Sequence, residues 1–393
     1  AVAEAPPADA DAVLHAVDAL CRSWLAEQAE RFQLLALAPG SDLAAFAEPP
    51  PEGGLGTCML FCDGLRMDLG HLLAERLREG GIEVAVGHRL GALPTVTPTA
   101  KPAVAPVAHL LGGNGGFDAA VAASGKKVTA PVLHDLLRQA GYQVLVGHEL
   151  GDPSGMAWAE YGEIDRYGHN HGWKLAAHAR DEVRRICQRV EALLGQGWRE
   201  VVVVTDHGWL LLPGDLPTAS LPIHLAEPRK GRCARLALGA TPELPVVPWR
   251  WDTSVRVALA PGIRRFEAGA DYEHGGLSPQ EAVIPVVRVR PAGAGSATDG
   301  QVGIERLGWR GLKLSVGLSG ATPDLLVDLR LRAGDPSSSI ADKPKAPDPD
   351  GTAAVFVHAD KDHLEGQEAV LVVCGTNGTV LAQRTVVVGG GDA

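Results

Sequence analysis

The sequence predicts an α/β fold, in which helices flank a central and mostly parallel sheet, followed by a small all-β sandwich. Four consecutive valines, residues 201–204, are too few to span a membrane and too β-branched for a good helix, so they predict a strand buried on both faces. The apolar run 58–62 predicts a second strand, and leucines at helical spacing follow it. Residues 81–91 (GIEVAVGHRLG) and 141–151 (GYQVLVGHELG) are two forms of one segment, each preceded by a leucine-rich helical pattern. Such repetition of helix, glycine and strand is typical of a βαβ succession.

Changes in composition divide the chain into three parts. Residues 1–48 form a helical segment, where Val13, Val17, Leu20 and Trp24 recur at helical spacing and predict a packing helix. Residues 49–290 hold the α/β pattern. The linker-like stretch 291–296 is followed by short apolar runs between turn signals, which predict a β-sandwich domain over residues 296–393.

Charge and cysteine usage narrow the class of protein. A formal net charge of −11 gives no general attraction to nucleic acid or to an anionic membrane, which disfavours a nucleic-acid coat protein. The six cysteines are scattered and form no CxxC pair, so we expect reduced thiols and a cytoplasmic location. No run approaches 18 apolar residues, and no membrane segment is expected.

Ionisable residues follow several of the predicted strands. Asp206 and His207 come directly after the valine strand, and Asp63 follows the run 58–62. Open α/β sheets bind ligands at the carboxyl ends of their strands, and an acid with an imidazole there indicates a divalent metal. An ordinary Asp–His pair in a polar loop is the alternative. Asp165 and His169, four residues apart, could converge on one ion.

Four further features carry polar groups whose function the residues alone leave open. Thr97 before Pro98 predicts a helix start with threonine as the N-cap, where a hydroxyl faces free N–H groups. His274 lies beside two glycines ahead of another predicted strand. The basic run 229–235 could contact an anion, but a solvated hairpin is the favoured interpretation. His88 and His148 hold equivalent positions in the two repeats, which favours a structural role for both.

These residues, in this order, resemble the alkaline phosphatase superfamily and its phosphodiesterase-like branch. The phrases CDGLRMD, PTVTPTAKPA, EIDRYGHNHG, TDHGW and HGGLSPQEAVIPV are similar to the PglZ domain of BREX-type phage-defence systems. The match covers roughly residues 57–290, and its specificity lies in the order and spacing of the phrases more than in any single one. The resemblance implies an alkaline phosphatase-like core for this part of the chain.

The resemblance also implies roles for individual residues around two divalent cations. One cation would be held by Asp63, Thr97, Asp206 and His207, and the other by Asp165, His169 and His274. Zinc is the family's usual metal, and manganese accepts the same nitrogen and oxygen ligands. Thr97 would be the nucleophile, and Lys101 would help to stabilise the phosphoryl oxygens. Thr95 or Thr99 could replace Thr97, and His171 could replace His169.

The expected function is a metal-dependent phosphodiesterase, which includes the case of a nuclease, serving bacterial anti-phage defence. Its expected partners are a nucleic acid or nucleotide carrying a phosphodiester and other BREX-type proteins. The alternative is a non-catalytic or weakly catalytic scaffold or sensor that retains the phosphatase fold and metal site. Phosphomonoesterase or phosphomutase action would use the same ions and differ only in the substrate pocket.

Overall fold

The structure is a computed structural model that describes residues 9–41, 46, 48–51, 53–229, 231–291, 303–319, 321–322, 324–333, 335–348, 351–375, 378 and 380–390. The chain divides into two compact units, Ala1–Ala292 and Gly293–Ala393. Most of the expected linker 291–296 lies outside the described residues. No helix in the described part of the chain is both long enough and apolar enough to cross a bilayer.

The first unit alternates helices and strands. Its helices are α1 Ala10–Ala36, α2 Met67–Glu79, α3 Thr97–Val104, α4 Ala130–Gln139, α5 Ile164–His171, α6 Leu175–Gln196 and α7 Pro279–Ala282. Its strands are β1 Thr57–Phe61, β2 Glu83–Leu90, β3 Leu111–Gly112, β4 Ala120–Val121, β5 Tyr142–Leu145, β6 Met156–Glu160, β7 Glu200–Val204, β8 Leu210–Leu211, β9 Ala226–Arg229, β10 Cys233–Leu236, β11 Val246–Trp249, β12 Asp252–Leu259, β13 Tyr272–Glu273 and β14 Val283–Arg290.

The six-stranded central sheet has the order β2-β14-β7-β1-β6-β5. Strands β7, β1, β6 and β5 are parallel neighbours, whereas β14 runs antiparallel to both β7 and β2. The predicted α/β class with a mostly parallel sheet is therefore confirmed.

Both faces of this sheet are covered, which explains why its strands are continuously apolar. Val201 and Val203 face one cluster, with the leucines of α2 and the apolar residues of α6, while Val202 and Val204 face another, with Leu133 of α4. A half-exposed sheet would instead alternate apolar and polar residues. The valine strand is consequently fully buried, as predicted.

Two predicted details of the first unit are wrong. Helix α1 forms, but Leu20 and Trp24 of the expected packing stripe are 77% and 56% exposed, because Ala29 and its neighbours make the contacts instead. The two repeats also differ, since β2 spans eight residues and β5 only four. His88 therefore lies within a strand and His148 in the loop after one, so the two positions are not equivalent.

Smaller antiparallel sheets complete the first unit, with the orders β11-β12-β10-β9, β13-β8 and β3-β4. The second unit contains β15 Gly303–Arg310, β16 Lys313–Ser319, β17 Leu326–Arg330, β18 Thr352–Phe356, β19 Glu368–Cys374 and β20 Val380–Val387. They form two three-stranded antiparallel sheets, β15-β16-β18 and β17-β19-β20. One cluster joins Leu314 and Val355 of the first sheet to Val327 and Leu371 of the second, which is the arrangement of a β-sandwich.

Two helical glycines should respond in opposite directions to substitution by alanine. A Cβ at Gly70 would lie 2.7 Å from Cβ of Pro285, whereas a Cβ at Gly195 would meet nothing within 4 Å. We expect Gly195→Ala to raise the free energy of unfolding by about 0.5–1 kcal/mol through helix propensity. Gly70→Ala should lower it, because overpacking costs about 1–3 kcal/mol. Urea denaturation measures both, and stabilisation by Gly70→Ala would contradict the close contact between α2 and β14.

Candidate metal centre

The central sheet brings two acidic residues to one edge. Phe61 at the end of β1 pairs in parallel register with Val204 at the end of β7. Asp63 and Asp206 each lie two residues beyond this pair. Adjacent parallel strands end at the same edge of a sheet, so the register alone places these carboxyl groups side by side.

His207 completes a first group with these two acids. Its Nε2 lies 3.6 Å from Oδ1 of Asp63 and 3.6 Å from Oδ2 of Asp206. One ligand atom from each of the three residues lies within 4.8 Å of the others. Asp206 and His207 are fully buried, and the next residue, Gly208, has no room for a side chain because a Cβ there would lie 2.0 Å from the Gln280 carbonyl oxygen.

A second group shares His207 and adds Asp165 and His274. Its potential ligand atoms also lie within 4.8 Å of one another. Oδ1 of Asp165 is 3.4 Å from Nε2 of His274 and 3.5 Å from Nε2 of His169. The rings of His207 and His274 stack with centroids 3.7 Å apart. The structure thus collects residues from four separate segments of the chain.

Backbone carbonyl groups orient both buried imidazoles. Nδ1 of His274 donates to the Thr95 carbonyl at 2.9 Å, and Nδ1 of His207 donates to the Gly208 carbonyl at 3.0 Å. A carbonyl oxygen can only accept, so Nδ1 carries a hydrogen, and in the neutral ring Nε2 has the lone pair that a cation would bind. This is the arrangement that metal-ligating histidines have in proteins.

The three candidate hydroxyl groups have different surroundings. Oγ1 of Thr97 lies 3.1 Å from Nε2 of His207. Thr95 is buried and donates to the Gly276 carbonyl at 2.7 Å, while buried Thr99 accepts from the Trp249 indole at 3.0 Å. Of the three, only the Thr97 hydroxyl has a bond to the two groups described above.

The predicted cap at Thr97 is wrong by one residue. Val96 is the N-cap of α3, Thr97 is its first helical residue, and no side chain caps the helix. The Thr97 hydroxyl contacts His207, and the N–H groups of Thr99 and Ala100 in the first turn bond to the Val96 carbonyl at 2.9 Å.

The two histidines of α5 also lie differently. Nε2 of His169 is 3.0 Å from Nε2 of His274, and its side chain is 44% exposed. His171 instead packs its ring on Tyr167, with centroids 4.4 Å apart. His169 is therefore the one at the second group.

Burial dominates the electrostatics of this region. It raises the pKa of Asp206 to about 7, and the nearby Asp165 carboxylate adds to this effect. Burial and the Asp206 carboxylate raise the pKa of Asp63 well above its ordinary value. Burial and His207 lower the pKa of His274 to about 3. Burial alone would raise the pKa of Asp165, but His274, His207, His169 and a hydrogen bond from Tyr272 hold it below its ordinary value.

The residues present fit divalent cations. Oδ1 of Asp63 and Oδ2 of Asp206 are buried and have no hydrogen-bond partner among the described residues. Unpaired buried carboxyl oxygens are costly, and a cation would satisfy them. The mixture of carboxylate oxygens and imidazole nitrogens suits zinc or manganese.

Lys101 lies beside this centre and is already engaged. Its Nζ donates to Oε2 of Glu160 at 2.6 Å, and it lies 4.6 Å from the centroid of the Phe61 ring. Oε1 of Glu160 accepts from His134 at 2.9 Å and from Trp158 at 3.1 Å. Burial alone would raise the pKa of Glu160, but Lys101, with hydrogen bonds from all three donors, lowers it.

Glu160 and Tyr272 are site residues that the sequence reasoning missed. Glu160 ends β6, so the strand-end rule that indicated Asp63 also applied to it. The Tyr272 hydroxyl donates to Oδ1 of Asp165 at 2.7 Å, and no local signal reveals this bond across 107 residues.

A cleft of about 410 Å³ opens beside Asp63. Lys101, Glu160, Tyr161, Glu182 and Arg185 line it together with His148. Both basic residues are paired with glutamates, Lys101 with Glu160 at 2.6 Å and Arg185 with Glu182 at 2.7 Å. The cleft therefore gives a small molecule access to the first group but offers no unpaired lysine or arginine along its lining.

Comparisons with known proteins give distant structural likenesses. No family model matches the sequence, and no curated protein matches it either. Murine ectonucleotide pyrophosphatase/phosphodiesterase 5 is 11% identical with a TM-score of 0.39, over 59% of this chain and 87% of that one. The human protein of the same name is 10% identical with a TM-score of 0.41, over 60% and 87%. An inactive form of the murine protein in complex with AMP is 11% identical with a TM-score of 0.39, over 59% and 87%. Likenesses this distant carry no inference about activity or ligands.

Metal affinity should depend on pH below neutrality. Because the pKa of Asp206 is raised to about 7, its proton must leave when a cation binds below that pH. The lowered pKa of His274, about 3, means that this ring is already neutral there. We expect affinity for Mn²⁺ to rise about tenfold per pH unit for each proton released between pH 5.5 and 6.5, and to level off above 7. Calorimetry in buffers of different ionisation enthalpy counts the protons, and a pH-independent affinity would contradict the assignment.

His169 and His171 form a matched pair for a second test, since both are exposed residues of one helix. We expect His169→Ala to weaken zinc binding by at least about tenfold, because its Nε2 lies at the second group. His171→Ala should leave the affinity unchanged. Competition with a chromophoric chelator measures both, and the reverse order would assign the ligand to His171.

Proposed function

We propose that this chain is a metal-dependent phosphodiesterase with Thr97 as its nucleophile. Asp63, Asp206 and His207 would hold one divalent cation, and Asp165, His169 and His274 the other, with zinc the favoured metal and manganese an alternative. The observation that carries the proposal is the 3.1 Å contact between the Thr97 hydroxyl and Nε2 of His207, the residue common to both groups. The Thr97 hydroxyl therefore lies next to both groups of candidate metal ligands.

Bound divalent cations would lower the pKa of the hydroxyl and offset the charge of the phosphoryl oxygens. The chain's own residues supply the rest. Thr97 is the first residue of α3, at the positive end of the helix dipole, which favours an anion. Lys101 lies four residues later, on the same face of this helix as Thr97. Its ammonium group adds positive charge close to Asp63.

The expected reaction has two displacements. In the first, Thr97 Oγ1 forms a bond to phosphorus and loses its proton, while the bond from phosphorus to the first alcohol breaks. The departing alkoxide takes up one proton and leaves as the alcohol, which balances the proton that the threonine lost. Water then cleaves the phosphothreonine ester, which releases the phosphomonoester and restores the hydroxyl. Dividing one difficult displacement in this way is the general benefit of a covalent nucleophile.

We propose a small phosphodiester, such as a nucleotide that carries one, as the substrate. Binding to a nucleic-acid polymer depends on free lysines and arginines that contact its phosphates. Here the cleft's Lys101 and Arg185 are paired with glutamates, and the chain carries a net charge of −11. These observations favour a small substrate over a polymer.

We further propose membership of the PglZ group, a cytoplasmic location and other BREX-type defence proteins as partners. The motif residues that carry the resemblance are the ones that lie together at the two groups, and this supports the proposal. Chance similarity of short phrases would not be expected to converge at one edge of a sheet.

The proposed activity is tested by hydrolysis of bis-p-nitrophenyl phosphate at increasing concentrations of zinc or manganese. Hydrolysis of p-nitrophenyl phosphate, the monoester, is measured for comparison. We expect diester hydrolysis to require metal and to fall at least about 10³-fold in Thr97→Val, which keeps the shape and removes the hydroxyl. Thr97→Ser should retain measurable activity because it keeps the oxygen.

A wild-type protein inert with both metals would overturn the proposal and favour the scaffold or sensor. Full activity in Thr97→Val would instead remove the threonine from the mechanism. Preference for the monoester would indicate a phosphomonoesterase.

A further inference from the structure

The basic run 229–235 contains a fully buried arginine. Arg232 is 0% exposed and pairs with Glu281, also 0% exposed. The prediction of a solvated hairpin fails at this residue, although the chain does form a hairpin between β9 and β10. A buried arginine close to the candidate centre needs a physical explanation.

Every side-chain nitrogen of Arg232 and both carboxyl oxygens of Glu281 form at least one hydrogen bond. Nε of Arg232 lies 2.7 Å from Oε1 of Glu281, and Nη2 lies 2.9 Å from Oε2. Nη2 also donates to the Gly262 carbonyl at 2.9 Å, and Nη1 donates to the Arg264 carbonyl. This bidentate fork is a geometry that lysine cannot reproduce.

Glu281 in turn holds the loop that carries His274. Its Oε1 accepts from the Gly276 N–H at 2.7 Å, and its Oε2 accepts from the Ser278 hydroxyl at 2.6 Å. Position 276 has no room for a side chain, since a Cβ there would lie 2.5 Å from Nη2 of Arg232. The ion pair therefore fixes the backbone two residues after His274.

Thr95 connects this fixed backbone to the imidazole. The Thr95 hydroxyl donates to the Gly276 carbonyl at 2.7 Å, and the Thr95 carbonyl accepts from Nδ1 of His274 at 2.9 Å. A continuous path of buried hydrogen bonds thus runs from Arg232 to the ring whose Nε2 faces Asp165 at 3.4 Å.

The free energy needed to remove both charges from water also distinguishes the Arg232–Glu281 pair from an ordinary stabilising contact. Moving two charges out of water offsets much of their attraction, and a well-packed apolar pair is often as stable or more so. A role in stability alone gives little reason to keep Arg232 and Glu281, whereas orientation of a metal ligand requires fixed, directional bonds.

We propose that Arg232 and Glu281 are positioning residues for the second group, and that they orient His274 for a divalent cation. Arg232 lies in the β9–β10 hairpin, so the antiparallel sheet β11-β12-β10-β9 would help to position the metal ligands. The inference rests on the proposed metal sites.

Zinc affinity and stoichiometry, measured by chelator competition on the full chain, test this role. Arg232→Lys keeps the charge and loses the fork, and Glu281→Gln keeps the size and loses the charge. The matched control is Arg330→Lys, which makes the same change in another buried pair, Arg330–Asp328 at 2.8 Å in the second unit. Thermal unfolding of the metal-free proteins is recorded in parallel.

We expect both site variants to bind one zinc equivalent as the wild type does and the second about 10–100-fold more weakly. Arg330→Lys should bind two equivalents unchanged, whatever its effect on thermal stability. If Glu281→Gln does not fold, Arg232→Lys decides the matter alone. Two equivalents bound normally by a folded site variant, even one that melts earlier, would overturn the positioning role. A wild type that binds no metal would instead overturn the proposed function itself.

Discussion

Two buried carboxyl oxygens without a hydrogen-bond donor in the described part of the chain are the constraint on which the centre depends. Asp63 and Asp206 lie side by side because β1 and β7 are adjacent, parallel and in register. Each has a buried carboxyl oxygen that the described residues leave unsatisfied. The acids cannot separate unless one of two fully buried strands shifts. In the stable forms of the protein, this pair of acids therefore holds either a proton or a cation.

Much of the fold and the acidic half of the centre could be predicted, because their signals are local. An unbroken run of valines means burial on both faces wherever it occurs, and an acid just past such a strand lies at the ligand edge of the sheet. Asp63 and Asp206 followed from this rule. His274 follows no strand of the central sheet, and its place came only from the resemblance.

The features that the sequence did not reveal depend on contacts between distant residues. Arg232 and Glu281 are 49 residues apart, and a run of basic residues is ordinarily solvated, so composition gave the wrong environment for Arg232. The face that α1 buries was also mispredicted. The spacing of Leu20 and Trp24 shows a helix, but the partner surface, which includes Leu210 and Ile263, lies elsewhere in the chain.

His207 contributes to both groups, yet its Nε2 has a single lone pair. Two cations could not both take it, so the two positions would be unequal partners. In the proposed assignment His207 belongs to the position with Asp63 and Asp206, which then has two carboxylates and one imidazole. The other position keeps Asp165, His169 and His274, which are one carboxylate and two imidazoles. Each position has three protein ligands and leaves a fourth coordination place open, as catalytic zinc sites do. Inequality between the halves of the centre is thus a direct result of one imidazole standing where two ligand sets overlap.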